Sequence, residues 1–416
     1  MTGVKNPVLL LLAAIGTAAA CSLAFLTHAP NRLVSGAGIS LAEVLSGSPP
    51  TLALLGVAGP ALLVVAGIVL PPRRSTHAGV LAAATALLAG LVWLAARHAA
   101  GLDGDTGDSG GTDGIARTSF GGAFWVLAAV AWLAAGDAIG RLALAPGRRL
   151  LAGLLVVAPV VACLAGGLLA PLSLLREYAS RRDVFDAALA QHLQLVVASL
   201  LPSVLIGLPL GLAVARPGRW RKALRPGLFS VLNIIQTIPS IALFGLLMAP
   251  LAWLALQAPL LGQWGIKGVG MAPAVIALTL YSLLPVVRST AAGLGQVPQP
   301  VIDAARGMGL SGRQIFWQVE LPLALPLLIS GLRVATVQLI GLAVVAALIG
   351  AGGFGAIMFQ GLLGGALDLA LLGTVPVVAM ALAVDAVLKA AALSLAHTPS
   401  SAISPSQQPT TWTARQ

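Results

Sequence analysis

Residues 193–214 read LQLVVASLLPSVLIGLPLGLAV, 22 positions without one charged side chain. A helix needs about 20 mostly apolar residues to cross the ~30 Å hydrocarbon core of a bilayer, because lipid cannot satisfy free backbone groups. This stretch is long enough, and it is not alone. Comparable runs lie near 7–27, 51–70, 78–96, 120–140, 150–170, 228–249, 269–287, 324–349 and 369–390, giving ten candidate spans. Composition agrees. Of 416 residues, 58% are hydrophobic and only 9% charged, against roughly 25% charged in a soluble domain. So little charge excludes a soluble enzyme, a disordered chain and a nucleic-acid-binding domain. It predicts an all-α polytopic membrane protein with about ten transmembrane helices. The piece 251–264 is too short and broken for an eleventh span. It reads as an interfacial or re-entrant segment with Trp253 and Trp264 at the boundary.

The loops alternate in charge. Arg73 and Arg74, then Arg141, Arg148 and Arg149, then Arg216, Arg219, Arg221, Lys222 and Arg225, then Arg288, Arg306 and Arg313 fall in every second loop. With Lys5, Lys389 and Arg415, that side collects sixteen of the 24 Lys and Arg. The opposite side holds nine of the 13 acids, Asp103, Asp105, Asp108 and Asp113 among them. The positive-inside rule therefore places both termini and the basic loops in the cytoplasm. The N-terminal run after Lys5 is long enough to span, so it reads as an uncleaved first helix rather than a signal peptide. A composition change near 175 predicts an accessory region of about five spans over 1–175. An amphipathic connector over 176–192 and a core of about five spans over 185–396 follow it. Residues 397–416, rich in Ser, Pro, Gln and Thr, read as a disordered tail.

Several motifs resemble catalytic signatures and fail on context. Gly107-Asp108-Ser109-Gly110-Gly111 spells a serine-nucleophile sequence, but it lies in a Gly/Asp-rich loop without the packed sheet such a site needs. Gly350-Ala351-Gly352-Gly353-Phe354-Gly355 fits G-x-G-x-x-G, yet it follows a membrane span and not a strand. It reads as close packing or a re-entrant turn at the outer mouth. His28, His77, His98, His192 and His397 form no pair at metal-ligand spacing, and Cys21 and Cys163 sit in apolar runs. No metal and no cofactor are expected. No Lys follows a Gly, so the chain lacks the phosphate-gripping G-x-x-x-x-G-K loop of an ATP motor.

One cytoplasmic loop is unusual. From Val301 it reads VIDAARGMGLSGRQIFWQVELPLALPLLISGLR. Ile302, Ala305, Met308 and Leu310 make an apolar edge at helical spacing. Gly307, Gly309 and Gly312 imply a turn. A second short helix carries Ile315, Phe316 and Val319, and Leu321-Pro322 starts the next span. Such an amphipathic helix–turn–helix suits either a groove on a soluble partner or the headgroup layer.

Asp303-Ala304-Ala305, Gly309 and Leu321-Pro322, with Val319 between, resemble the EAA loop of binding-protein-dependent ABC importer permeases. Asp303 stands where Glu is usual. Further similarity lies in Gln191-His192-Leu193-Gln194-Leu195, Gly207-Leu208-Pro209-Leu210-Gly211, Ile235-Gln236-Thr237-Ile238-Pro239-Ser240, Tyr281-Ser282-Leu283-Leu284-Pro285 and Leu348-Ile349-Gly350-Ala351-Gly352-Gly353. Together these resemble the osmoprotectant branch, which imports glycine betaine, choline and related quaternary amines, in its long form with additional N-terminal spans. The resemblance implies a type I importer permease core, in the inner membrane of a bacterial cell, that does not itself hydrolyse ATP. It also implies a separate ATPase dimer docked on Asp303, Ala304, Ala305, Gly309, Leu321 and Pro322, a second permease copy or paralogue, and a periplasmic or extracellular binding protein.

Intramembrane polar groups are costly and tend to face cavities or neighbouring helices. Asn233, Gln236, Thr237, Ser240, Tyr281 and Gln338 are the candidates for the substrate path, with interhelical hydrogen bonding as the competing role. Arg333 reads as structural, snorkelling to the inner surface. Two rivals remain at this point: the same machine for an amino acid or sulfonate, and an ion-coupled secondary transporter. The second needs working intramembrane acids, and only Asp137 and Asp385 lie within spans.

Overall fold

The computed structural model describes residues 4–30, 36–105, 116–215, 219–258, 260 and 266–396. The Ser109 motif, Arg216, Trp264 and the tail 397–416 lie outside the described residues.

The accessory half begins with α1 (Pro7–Ser22), capped by Asn6, whose Oδ1 accepts the Val8 and Leu9 amides at 3.1 and 3.3 Å. Strands β1 (Leu26–Ala29) and β2 (Ala37–Ile39) follow, then α2 (Leu41–Ser46) with a Ser40/Glu43 capping box. Next come α3 (Pro50–Ala53), a π turn over Leu54–Ala58, α4 (Gly59–Ala66) and the long α5 (Arg74–Asp105). Strand β3 (Arg117–Phe120), α6 (Gly122–Arg141), α7 (Pro146–Ala165) and α8 (Ser173–Ser180) complete this half. The core comprises α9 (Arg182–Ala215), α10 (Arg219–Thr237), α11 (Ser240–Gln257), α12 (Met271–Gly295), α13 (Gln299–Gly307) and α14 (Gly312–Ile315). A second π turn (Phe316–Glu320) leads into α15 (Leu321–Val345), followed by α16 (Phe354–Leu363) and α17 (Leu367–Ala396).

Eight helices among the described residues are long and apolar enough to cross a membrane. The shorter helices Pro7–Ser22 and Leu54–Ala66 occupy the first two expected spans. Four boundaries differ from the sequence reading. The run 228–249 is not one helix: it breaks at Ile238-Pro239, and residues 251–257 belong to α11. Residues 176–192 are divided between α8 and the first turns of α9, with Arg181 as the corner. Leu321-Pro322 opens α15 as read, but α15 is continuous with α14 through the π turn, so the helical rod runs over Gly312–Ile349. The additional half-helix α16 follows the glycine run.

Both π turns have one cause. Pro60 and Pro322 each stand two residues past a π turn. A proline donates no amide and its ring presses on the carbonyl one turn back, and the wider turn makes room. The Gly56 carbonyl, one turn before Pro60, rests against Gly90 of α5, where any Cβ would overlap it.

A three-stranded antiparallel sheet in the order β2-β1-β3 pairs Leu26 with both Ile39 and Phe120. The all-α reading missed it because its strands are only three or four residues long. The sheet joins two loops assigned to the outer face. Thr118 also bridges to Leu172, and Arg176 donates to the Ala116 carbonyl at 3.2 Å. At the opposite end, the Lys5 amide donates to the Ile68 carbonyl (2.9 Å), and Asn6, Asp137 and Arg141 form one network. In this half, the segments beside Lys5, Ile68 and Arg141 thus meet at one end, and the segments carrying β1, β2 and β3 meet at the other.

Packing in the core runs through small residues. A Cβ at Gly207 would press on Val286, one at Gly211 on Thr290, and one at Gly293 on Ala324 and Leu328. These contacts bring α9, α12 and α15 together where lipid offers no hydrophobic drive between helices. Polar groups on the same seam are paired. Ser203 Oγ donates to the Ser199 carbonyl (2.7 Å) and meets Ser282 Oγ, and Thr279 Oγ1 donates to the Ser199 carbonyl (3.2 Å). The two halves touch where α7 and α8 lie on α17 and where Ser119 Oγ donates to Asp368 (2.6 Å).

Candidate coupling loop and membrane path

The loop between α12 and α15 is built from two local signals. At the end of α13 the Gly309 amide donates to the Arg306 carbonyl (2.9 Å) and the Leu310 amide to the Ala305 carbonyl (3.2 Å). Gly309 itself has φ +82°. This is the Schellman arrangement, and a left-handed residue at that position is why glycine belongs there. Two residues on, Ser311 caps α14. Its amide and hydroxyl reach Gln314 Oε1 at 2.9 and 2.8 Å, and the Gln314 amide returns to Ser311 Oγ at 3.4 Å.

The turn folds α13 back on its neighbour, burying Ala305 and Ile315 to 1% and 3% exposure. Ile302 and Leu310 are half-buried. Met308 departs from the apolar edge expected for it: as the C-cap residue it points outward, 75% exposed, with Trp317 at 57% and Val301 exposed beside it. Asp303 stays accessible while accepting from Arg306 (3.3 Å) and Gln299 (3.1 Å). Ala304, Gly309 and Pro322 are exposed and Leu321 is half-buried. The candidate coupling residues Asp303, Ala304 and Gly309 are therefore all accessible, as are the large apolar side chains of Val301, Met308 and Trp317, and α13 packs against α14 and the π turn that follow it.

The polar candidates for the path separate into groups. Gln236 and Tyr281 meet at the break in the 219–257 crossing. Tyr281 donates its hydroxyl to the Ile238 carbonyl, and Gln236 Nε2 donates to the Tyr281 carbonyl at 2.9 Å. The first bond satisfies a backbone oxygen at the break, and the second serves the α12 carbonyl that lies four residues before Pro285, which has no amide to donate. The Tyr281 ring is 4% exposed, so it offers no open face to a cation. Asn233 accepts from Arg288 (3.2 Å), and Thr237 donates to the Ile234 carbonyl of its own helix (2.7 Å). Asn233 and Thr237 are exposed; Ser240 and Gln338 are half-buried and are not drawn into the Gln236–Tyr281 group.

Sequence reading missed the anchoring of the glycine run. Gln191 Oε1 accepts the Gly353 amide (2.9 Å), and fully buried His192 reaches the Ile340 carbonyl through Nε2 (3.2 Å). Gly350, Gly352 and Gly353 all have positive φ, and side chains at 352 and 353 would press on Gln191 and His192. The Gln191-His192 pair therefore holds the turn that launches α16, and its adjacency to the quoted 193–214 span was the available clue. Arg333, expected to snorkel, instead pairs with Asp385 (3.4 Å). Asp137 is held by Asn6 and by Arg141, each at 2.8 Å.

Comparison with known proteins gives concordant results. Residues 4–175 match the N-terminal domain of the ABC transporter permease YehY, and residues 207–396 match the binding-protein-dependent transport system inner membrane component. The osmoprotectant import permease protein OsmW of Salmonella typhimurium is 38% identical over 199 residues, 47% of this chain and 84% of that protein. The glycine betaine/carnitine/choline permease protein OpuCB of Bacillus subtilis is 34% identical over 198 residues, 48% of this chain and 82% of that protein. The choline transport permease OpuBB of the same species is 35% identical over 201 residues, 48% and 83%. Among solved structures, the inward-facing methionine transporter MetNI aligns over 52% of this chain and 98% of that chain, with a TM-score of 0.45 and 24% identity. With the multi-pass helical core, the EAA-type loop and these relatives together, the chain belongs to the inner-membrane permease components of binding-protein-dependent transport systems.

Proposed function

We propose that the chain carries a compatible solute, such as glycine betaine, choline or a related quaternary amine, across the cytoplasmic membrane in an ATP-driven importer. ATP is hydrolysed on a separate subunit. A dimer of that subunit docks on the surface made by Asp303, Ala304 and Gly309 with Val301, Met308 and Trp317. A binding protein delivers solute at the outer face, and a second permease, identical or paralogous, completes the path. The observation that carries this reading is a rigidly capped loop that leaves Met308 and Trp317 bare on the basic side of the protein. A headgroup-bound helix would need its apolar side chains on one face. Here Ala305 and Ile315 are spent inside the turn, which leaves a small exposed apolar set beside the accessible Asp303 carboxylate, better suited to a socket on a protein. The solute class follows the names of the relatives.

The secondary-transporter rival requires acids free to exchange protons, whereas Asp137 and Asp385 are each tied to an arginine. The test is uptake of labelled glycine betaine or choline by proteoliposomes holding this chain, its ATPase and its binding protein. Uptake that requires internal ATP and the binding protein supports the reading. Transport of an amino acid or sulfonate in preference to every quaternary amine overturns the solute class, and proton-driven uptake by the lone chain overturns the mechanism.

A further inference from the structure

The accessory half contains a crevice of about 440 Å³ between α5 and α7, lined by Ala78, Ala82, Ala86 and Ala89 on one side and Ala152 and Pro159 on the other. Thr85 also faces it, but its hydroxyl donates to the Leu81 carbonyl of its own helix (2.8 Å), so the crevice presents no free polar group from Thr85. Both helices start at the basic end of the protein and run in the same direction. From Ala78 to Ala89 the crevice extends about 16 Å at 1.5 Å per residue, roughly half of the ~30 Å hydrocarbon core and so the depth of one leaflet. The crevice is open and its walls are almost wholly apolar, so an acyl chain can fill it, and left empty it forfeits the contacts of its walls.

The inner end of the crevice is charged. Arg74 stands four residues before Ala78 and Arg148 four residues before Ala152, so each lies one turn below the crevice on the face that lines it. Helical side chains lean toward the N-terminus, which carries both guanidinium groups away from the apolar walls to headgroup level. Both arginines are exposed, and no carboxylate pairs with either among the described residues. Arg149, by contrast, donates to the Leu144 carbonyl at 2.8 Å.

We infer that the α5–α7 crevice binds one anionic phospholipid of the cytoplasmic leaflet, its acyl chain along the alanine walls and its phosphate between Arg74 and Arg148. Depth, apolar walls and the placement of charge at one end match the two parts of such a lipid. The site lies on the helix that joins the halves, since α7 also rests on α17. This inference is independent of the transported solute.

The test uses the full chain purified in mild detergent and freed of lipid, titrated with palmitoyl-oleoyl phosphatidylglycerol or with phosphatidylcholine of the same chains, and read by native mass spectrometry. Wild type should prefer phosphatidylglycerol. Replacing both arginines, Arg74→Gln with Arg148→Gln, should weaken phosphatidylglycerol about 30-fold, at about a tenfold per 1.4 kcal/mol and ~1 kcal/mol per basic residue, and leave phosphatidylcholine unchanged. Arg74→Lys with Arg148→Lys should keep the preference, and Ala82→Leu with Ala86→Leu should weaken both lipids by filling the crevice. Equal binding of the two lipids to wild type would overturn the inference. So would unaltered binding in the crevice-filled variant, or a disulfide between two copies formed through Ala86→Cys. Should the glutamine pair fail to fold, the lysine and leucine pairs decide by the same readings.

Discussion

Two glycines in the coupling loop, two residues apart, should respond to alanine in opposite directions. Neither Gly307 nor Gly309 has any atom within 4 Å of where a Cβ would sit, so no clash enters either case. Gly307 ends α13 in helical geometry, where alanine is better than glycine by about 0.5–1 kcal/mol. Gly309 has φ +82°, where an L side chain costs about 1–2 kcal/mol. Converted to equilibrium constants, Gly307→Ala should favour the closed turn about two- to fivefold, and Gly309→Ala should open it about five- to thirtyfold. Asparagine tolerates the left-handed region better, so Gly309→Asn should fall between glycine and alanine. The assay is hydrogen exchange at the amides of Gly309 and Leu310, the donors that close the turn, alongside ATPase stimulation in the assembled transporter. Gly309→Ala and Gly307→Ala moving exchange in the same direction would refute the reasoning. Asparagine proving worse than alanine at 309 would instead mean that side-chain size against a partner, not backbone geometry, selects glycine there.

Other consequences follow from single contacts. Tyr281→Phe removes the hydroxyl that covers the Ile238 carbonyl, and should lower stability by about 0.6–1.7 kcal/mol, read as a lower melting temperature in nanodiscs; an unchanged melt would leave the break held by other groups. At Gly355 any Cβ would overlap the Val344 carbonyl oxygen, whereas Gly153 faces open space. Gly355→Ala should therefore lose folded yield while Gly153→Ala keeps it, and equal yields would contradict the packing of α16 on α15. Asp385→Asn breaks a half-exposed pair with Arg333 and should cost less than about 1 kcal/mol. ATP-driven uptake by that variant and by wild type should both survive a protonophore, and loss of uptake would revive the ion-coupled rival.

The sequence exposed whatever has a local or compositional cause. The 193–214 span could be read because a bilayer demands length without charge. The turn at Gly309 was marked by glycine spacing, while the Ser311/Gln314 box went unread, and the single apolar edge is divided because Ala305 turns inward and Met308, at the C-cap, outward. The break at Ile238-Pro239 was not visible for a different reason. Pro202, Pro209, Pro250 and Pro285 all stay inside continuous helices. What sets Pro239 apart is a tyrosine hydroxyl arriving from 43 positions away, and no window of sequence contains that. The outer sheet escaped for the reason that hides most short strands: its pairing joins Leu26 to Phe120 with two membrane crossings between them. Of the path residues, Gln236 and Tyr281 are joined by a hydrogen bond between α10 and α12.

The account depends on where Met308 finds its contact. A photo-crosslinking residue placed at Met308 in intact cells, with the companion subunits expressed, reads this directly. The account predicts a crosslink to the ATPase subunit that varies with nucleotide; labelling of the same position by a membrane-impermeant reagent added outside the cell would contradict it.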